Sequence, residues 1–296
     1  MIGVISALAP GSREHAAAGS EACILQCEGI ILQTIQFSGL FNDSKTFVDM
    51  PLLWPPEDIQ KDFHSMSSYE PHALKAFVDR NFAPSCSDMF IWSPPDYVDE
   101  PAFLNNITDP TFKEWALDVH SLWNLLGRQM DPDVVKSPRL HTLLPLRSPF
   151  MIVPGGRFCE FYYWDTYWII QGLLVSGMHS TAQIIVDNLV GMVEDFGFVP
   201  NGSRRYYLNR SQPPMLTLMV KEVYEATVRG EDNKSGHNCS TVSCCDRALP
   251  PPSFAHLSSF CLLFVCLLCA AASPSRATWS GCVRSFLPWR PSTTSG

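Results

Sequence analysis

One short stretch of the sequence, residues 154–168, concentrates side chains that suit a sugar-binding site. It reads Pro-Gly-Gly-Arg-Phe-Cys-Glu-Phe-Tyr-Tyr-Trp-Asp-Thr-Tyr-Trp. The paired glycines allow positive backbone φ angles, so Arg157 can project from a tight turn. Its guanidinium offers five donors in a fixed fork and Asp165 offers an acceptor, which together suit the vicinal hydroxyls of a sugar. Trp164 adds a flat apolar face on which a pyranose ring can stack.

The same residues also allow a structural interpretation. In it the glycines form a tight turn before a buried helix, and Arg157 and Asp165 form an ion pair that only supports the fold. Glu160 raises a third possibility, because Glu160 and Asp165 lie five residues apart and could face one cavity as a catalytic pair. Nothing in their spacing suggests that they flank a scissile bond, so we do not assign them that role.

The charge balance and hydrophobic content of the chain limit the kinds of partner that it is expected to bind. The chain has 296 residues, with 29 acidic and 21 basic side chains and a formal charge of -8. This balance disfavours a nucleic-acid surface, which needs clustered Lys and Arg to neutralise phosphates. Hydrophobic residues make up 46% of the chain, enough for a substantial core in one or two domains. A small neutral or polar ligand is the expected partner.

Hydrophobic periodicity predicts a mainly α fold. Helices are predicted over residues 56–66, 71–82, 109–126 and 179–196, with a further helix opening at Pro213 and Pro214. Gly197 stands where a helix C-cap is expected. Residues 84–106 are predicted as loop, and no run of alternating strands competes with the helices.

A change of composition near residue 229 marks a boundary. Seven of the eleven cysteines follow it, and acidic residues become rare. We therefore divide the chain into an undecided segment (1–44), a helical domain (45–228) and a Ser/Pro/Cys-rich tail (229–296) that is expected to be poorly ordered. The tail contains four candidate metal ligands, His237, Cys239, Cys244 and Cys245. Their spacing lacks the paired steps of zinc sites, so no metal is predicted.

The stretch from Pro154 to Tyr167 resembles the signature of the α,α-trehalases, glycosidases that hydrolyse trehalose. That signature reads Pro-Gly-Gly-Arg-Phe-x-Glu-x-Tyr-x-Trp-Asp-x-Tyr, and the chain meets every fixed position. Three further stretches resemble family motifs in the family's order: residues 45–52, 200–208 and 210–214. The resemblance extends from about Lys45 to about Tyr224.

The resemblance implies a fold, an activity and a set of substrate contacts. The fold is an (α/α)6 toroid of helices, of which this chain would hold a part, and the activity is hydrolysis of trehalose to two glucose molecules with inversion and without a cofactor. The implied sugar-binding residues are Arg157, Trp164, Asp165, Asn201, Arg210, Ser211 and Gln212. Among them Trp164 would stack on the sugar and Asp165 would accept hydroxyl protons.

The segments that carry the family's catalytic acid and base are not found in this sequence. An inverting glycosidase needs one carboxylic acid to protonate the leaving oxygen and one carboxylate to activate water. The family's second signature, Gln-Trp-Asp followed by an aromatic-Pro-Asn-Ala-Trp-Pro-Pro stretch, is missing, as is its glycine-rich glutamate segment. We therefore predict no catalytic residue in this chain and expect it to be inactive by itself.

Two functional hypotheses follow from that gap. The chain is either a trehalase by descent or a non-catalytic fragment with at most weak sugar binding. In a fragment, the apolar faces of Phe112, Trp115 and Trp123 would be exposed if they normally pack on helices that the fragment lacks.

The sequence assigns no cellular location. The family suggests a secreted or cell-surface protein, yet residues 1–9 lack the length and basic residues of a signal peptide. Phe260–Ala272 is uncharged but shorter than a membrane span, and the residues after it do not fit a glycolipid-anchor signal. Asn201 lies in an Asn-Gly-Ser glycosylation sequon. A glycan there would obstruct the implied pocket, so we favour ligand contact at Asn201.

Overall fold

The first helices of the described chain form a compact group. The computed structural model describes residues 21–234. This part begins with α1 (Glu21–Gln26), α2 (Gly29–Phe37), α3 (Lys45–Val48), α4 (Pro56–Ser65) and α5 (Pro71–Asn81). The helices predicted over 56–66 and 71–82 are confirmed. Each begins with a proline in its first turn, where the missing N–H sacrifices no intrahelical bond.

An aromatic core joins these helices. Phe47 meets Phe82 edge-on with ring centroids 5.0 Å apart, and Phe77 lies 6.0 Å from Phe82. Ile35 and Ile59 complete the same cluster without any exposed surface. The core fixes α3, and α3 supplies Lys45 to the candidate site described below.

A small antiparallel sheet, which the sequence did not predict, follows the first helices. Its strands are β1 (Met89–Ile91), β2 (Gly127–Met130) and β3 (Phe150–Ile152), in the order β1-β2-β3. Phe90 pairs with Gln129, and Arg128 pairs with Met151. The region predicted as loop therefore contains one strand. Between the strands lie α6 (Pro110–Ser121), α7 (Trp123–Leu126) and α8 (Asp133–Lys136), with short 3-10 turns at Ala102–Asn106 and Pro138–Leu140.

The helix predicted over 109–126 is interrupted at Leu122. Asp109 caps its start by accepting a hydrogen bond from the Phe112 backbone N–H at 2.9 Å. After the break, Trp123 enters the core and its indole N–H donates to the Ser176 hydroxyl at 3.1 Å. Trp123 is only 3% exposed and packs within the described chain, so the condition under which it would be exposed is not met. Phe112 is partly buried. Trp115 is exposed as predicted.

Three consecutive helices build the C-terminal half of the described chain. They are α9 (Tyr163–Val175), α10 (His179–Phe196) and α11 (Leu216–Lys234), and each packs on the other two. The prediction of a helix over 179–196 is confirmed, and Gly197 caps it in the left-handed conformation with φ 83°. The prediction of a mainly α fold is confirmed.

α11 extends past residue 229, where the tail is predicted to begin. The rest of the predicted tail, including its candidate metal ligands and the apolar run 260–272, lies outside the described residues. Among residues 21–234, no helix is both long and apolar enough to cross a membrane. The same residues contain no group of three His, Cys, Asp or Glu side chains that could hold a metal ion.

Candidate functional site

Arg157 projects from a tight turn, as the paired glycines predict. Gly155 and Gly156 adopt φ angles of 93° and 62°, which L side chains rarely take. The Arg157 side chain is 53% exposed, and its Nη2 donates to Asp43 Oδ1 at 2.6 Å. The structural interpretation paired Arg157 with Asp165, but the ionic partner here is Asp43. Asp43 thus pairs with the guanidinium from a segment in which the sequence predicted nothing.

Trp164 and Asp165 lie in the first turn of α9, next to Gln212. The Trp164 backbone N–H donates to Gln212 Oε1 at 2.9 Å. Burial raises the pKa of Asp165, and the opposing hydrogen bonds from its own backbone N–H and from Gln212 do not cancel that effect. The pair therefore places a half-buried acceptor and a large aromatic surface beside one helix N-terminus.

The loop between α10 and α11 brings the other predicted residues to the same place. The Asn201 carbonyl accepts from the Tyr163 backbone N–H at 3.1 Å, and the Asn201 N–H donates to the Arg210 carbonyl at 3.0 Å. The Ser211 hydroxyl donates to the Val199 carbonyl at 2.7 Å. The bond to Tyr163 and the bond between Trp164 and Gln212 anchor residues 201–212 to the start of α9, and the other two bonds hold the loop together.

Gly202 allows this loop to approach α9 closely. A Cβ atom at Gly202 would lie 3.0 Å from the Phe161 carbonyl oxygen and 3.1 Å from the Tyr207 ring. Glycosylation at the Asn-Gly-Ser sequon needs an accessible Asn201. In the structure Asn201 is half-buried and Ser203 is fully buried.

A continuous run of aromatic rings connects the two predicted arginines. The Arg157 guanidinium lies 5.5 Å from the Phe158 ring centroid, and Phe158 meets Tyr162 at 5.1 Å. Tyr162 in turn meets Tyr207 at 5.6 Å, and the Arg210 guanidinium lies 5.1 Å from the Tyr207 centroid. The structure thus brings the segments that carry the seven predicted residues together at the start of α9, with an arginine at each end of the aromatic run.

A buried network of charges lies beneath these residues, and the sequence did not predict it. Lys45 Nζ donates to Glu160 Oε1 at 2.6 Å and also pairs with Asp49. Arg204 has no exposed surface and binds both oxygens of Asp88, at 2.9 and 3.2 Å. The partners are far apart in sequence, so no local pattern reveals them. The signal available was the Lys45/Asp49 spacing of four residues, together with Glu160 in the signature.

Burial and charge act in opposite directions on the acids of this network. Burial raises the pKa of Asp88, but Arg204 and His141 outweigh it and hold that pKa below its ordinary value. For Asp49 the effect of burial prevails, and its pKa is raised despite Arg204 and Lys45. Asp49 accepts a hydrogen bond from the Tyr206 hydroxyl at 2.6 Å, so the network also fixes tyrosines of the overlying loop.

Glu160 belongs to this network rather than to the exposed surface. Its side chain has no exposed area, and it accepts hydrogen bonds from Lys45 and from the Tyr162 hydroxyl, the latter at 2.8 Å. A catalytic acid must reach the glycosidic oxygen, and a side chain enclosed in this way does not. The geometry therefore agrees with leaving Glu160 out of the catalytic assignments.

His141 should make the stability of the network depend on pH. Its Nε2 lies 3.2 Å from Asp133 Oδ2, and its Nδ1 lies 3.7 Å from Asp88 Oδ2. Burial lowers the pKa of His141, but the two carboxylates outweigh burial and hold that pKa above 6.5. A raised folded-state pKa gives stability that is complete below the unfolded value and is lost as pH rises through the folded value.

We therefore expect the free energy of unfolding to fall with rising pH, starting at about pH 6.5. The change should be steeper in the wild type than in His141→Gln, which keeps a polar side chain of similar reach but does not titrate. Urea denaturation at a series of pH values from about 6 to 9 measures both slopes. Equal slopes would contradict a raised pKa of His141 in the folded state.

Comparison with known proteins points to a single family. A family model described as Trehalase matches residues 39–242. Trehalase from Homo sapiens is 43% identical over 201 residues, covering 66% of this chain and 34% of that protein. Trehalase from Pimpla hypochondriaca is 42% identical over 217 residues, covering 71% of this chain and 37% of that protein.

The chain spans about a third of the length of the curated relatives that it matches. Among solved structures, the neutral trehalase Nth1 from Saccharomyces cerevisiae is 34% identical with a TM-score of 0.26, covering 29% of this chain and 18% of that one. Since the family model matches well over half of this sequence, and at the residues that surround the α9 N-terminus, the chain belongs to the trehalase family.

Proposed function

We propose that residues 45–228 form part of the trehalose-binding surface of an inverting α,α-trehalase. The observation that carries this proposal is that Asn201 and Gln212 hydrogen-bond to the backbone of the first turn of α9, which holds Trp164 and Asp165. Arg157 and Arg210 lie at the two ends of an aromatic run beside it. Arginine forks, a half-buried carboxylate and ring faces are the groups that recognise sugar hydroxyls and C–H surfaces. Family membership supports trehalose as the sugar.

The requirements of inverting hydrolysis limit the role that we propose for this surface. Such hydrolysis needs two carboxyl groups roughly 6.5–9.5 Å apart on opposite faces of the glycosidic bond. We assign the residues around the α9 N-terminus to binding and orientation of the sugar, and we assign neither carboxyl role to them. On this proposal the 296-residue chain binds trehalose but releases no glucose from it.

A second candidate function is a sugar-binding fragment without any part in hydrolysis. It is favoured by the enclosed position of Glu160, which leaves Asp165 as the one acid of the signature that is not fully buried. Neither candidate predicts glucose release by the 296-residue chain, so a glucose assay separates them only when a longer chain is assayed beside it. Trehalose binding tests what they share.

The test is the affinity of the chain for trehalose. We expect isothermal titration calorimetry to detect binding, and we expect Arg157→Ala to weaken it at least about tenfold, because charged hydrogen bonds to hydroxyls are lost. Arg80→Ala is the matched control, since Arg80 is an exposed arginine whose ion pair with Asp62 lies on the first group of helices. Glucose should remain undetectable in each sample.

Three outcomes contradict parts of the proposal. Absence of trehalose binding would reject the sugar-binding surface altogether. An equal loss of affinity in Arg157→Ala and Arg80→Ala would reject the specific role of Arg157. Sustained glucose release that Arg157→Ala abolishes would show that the chain is itself catalytic.

A further inference from the structure

The turn that carries Arg157 is joined covalently to a distant part of the chain. Cys159 follows Arg157 by two residues and forms a disulfide bond with Cys86, with Cα atoms 6.0 Å apart and a separation of 73 positions in sequence. Cys159 occupies a position of the trehalase signature at which no residue type is fixed. Neither cysteine takes part in the binding surface proposed above. Both are partly exposed, so a small reductant can reach the bond.

The other end of the bond is held by the buried charge network. The Cys86 backbone N–H donates to the Asp49 carbonyl at 3.1 Å, and two residues later Asp88 binds Arg204. Cys86 itself adopts a φ of 62°, a left-handed conformation that is uncommon outside glycine. Cys86 is therefore fixed by its surroundings, and it is suited to restrain whatever is bonded to it.

Apart from the disulfide, the Arg157 turn is held by a hydrogen bond within the turn itself, from the Phe158 N–H to the Gly155 carbonyl at 3.2 Å, and by one ion pair. Gly155 and Gly156 give its backbone wide conformational freedom. The ion pair between Arg157 and Asp43 is partly exposed to solvent, where such pairs contribute little. After the turn, Glu160 is anchored by Lys45, so the loosely held part is the short stretch that precedes it.

We propose that the Cys86–Cys159 disulfide is a positioning brace for Arg157, and that its reduction loosens this turn and weakens sugar binding. The binding half of this inference rests on the proposed function, whereas the loosening of the turn does not. Dithiothreitol supplies the two electrons and two protons. Its first thiolate attacks one cysteine sulfur, its second closes the ring, and the products are two cysteine thiols and one oxidised dithiothreitol.

Trypsin cleaves the Arg157–Phe158 bond, so its rate of cleavage there measures the mobility of the turn without any ligand. In the oxidised chain this bond should be cleaved slowly, and dithiothreitol under native conditions should accelerate its cleavage about tenfold through local opening. The Arg210–Ser211 bond, which is also exposed, serves as the internal reference and should change little. Mass spectrometry of the fragments follows both bonds in one sample.

Two disulfide variants identify the bond responsible. The double variant Cys86→Ser/Cys159→Ser should show the fast cleavage without reductant and no further response to it. The double variant Cys23→Ser/Cys27→Ser removes the other described disulfide, which lies at α1, and should respond to reductant like the wild type. Cysteines beyond residue 234 are present in both variants, so they cancel in this comparison.

Trehalose titration completes the test. Reduction should weaken wild-type binding about tenfold and leave binding by the Cys86→Ser/Cys159→Ser variant unchanged. Cleavage at Arg157 that does not respond to reductant would overturn the brace. Equal acceleration at Arg157 and Arg210 would also overturn it, since that result means general unfolding.

The two proposals fail separately. If the oxidised chain binds no trehalose, the proposed function is rejected while the proteolysis still decides the brace. If the serine double variant does not fold, reduction of the purified wild type provides the same comparison. Faster cleavage at Arg157 with unchanged trehalose affinity would overturn the positioning role and leave only a structural crosslink.

Discussion

Replacing Arg204 by methionine is expected to lower the free energy of unfolding by about 3–5 kcal/mol, because it leaves buried acids without their counter-charge. Arg204 has no exposed surface, binds both oxygens of Asp88, and lies 3.5–3.6 Å from oxygens of Asp49 and Glu160. These acids raise the pKa of Arg204 against the opposing effect of its burial. Urea denaturation monitored by tryptophan fluorescence measures the loss.

A matched substitution on the surface separates burial from charge. Arg80→Met removes an arginine whose side chain is 55% exposed and which lies 3.1 Å from Asp62, so a loss below about 1 kcal/mol is expected. Combining Arg204→Met with Asp88→Asn should recover part of the stability, because the second change removes one unpaired charge. A loss for Arg204→Met no larger than that for Arg80→Met would show that the network is dispensable.

The helices could be predicted because their signals are local. Pro56 and Pro71 mark helix starts by their fixed φ, and Gly197 marks an end by its tolerance of positive φ. Where a tertiary contact competes with the local pattern, prediction fails. The helix predicted over 109–126 ends early, and after it Trp123 reaches Ser176 in the core.

The sheet and the charge network could not be predicted for two different reasons. The strand Met89–Ile91 is three residues long and apolar throughout, so it shows no alternation. The network depends on distance in three dimensions, since Lys45 and Glu160 are 115 residues apart and Arg204 and Asp88 are 116 apart. A sequence without the three-dimensional structure gives no reason to pair these residues.

The candidate site was predictable only where a motif specified it. Resemblance named the seven residues, and the hydrogen bonds of Asn201 and Gln212 explain why the 201–212 loop lies against α9. Asp43, the ionic partner of Arg157, was missed because it precedes the first motif. The roles of the seven residues in sugar binding remain predictions. Substitution of the two acids of the signature, Glu160 and Asp165, tests which of them acts in binding.

Glu160→Gln is expected to act mainly on stability and Asp165→Asn mainly on sugar binding. Glu160→Gln removes the carboxylate that faces Lys45 and Arg204, and it should lower the free energy of unfolding by about 3 kcal/mol. Asp165→Asn should change stability by less than about 1 kcal/mol. Burial raises the pKa of Asp165, which means that the fold disfavours its ionised form, and an uncharged amide removes that cost.

Binding should follow the reverse order. Asp165→Asn replaces an acceptor of sugar hydroxyls and should weaken trehalose binding about tenfold, measured by calorimetry on folded protein. Glu160→Gln should alter affinity only as far as the folded fraction falls, since its carboxylate contacts Lys45 and Tyr162 within the core. Equal destabilisation by both substitutions would show that Asp165 supports the fold. Weaker binding in fully folded Glu160→Gln would show that the network beneath the surface also shapes the sugar site.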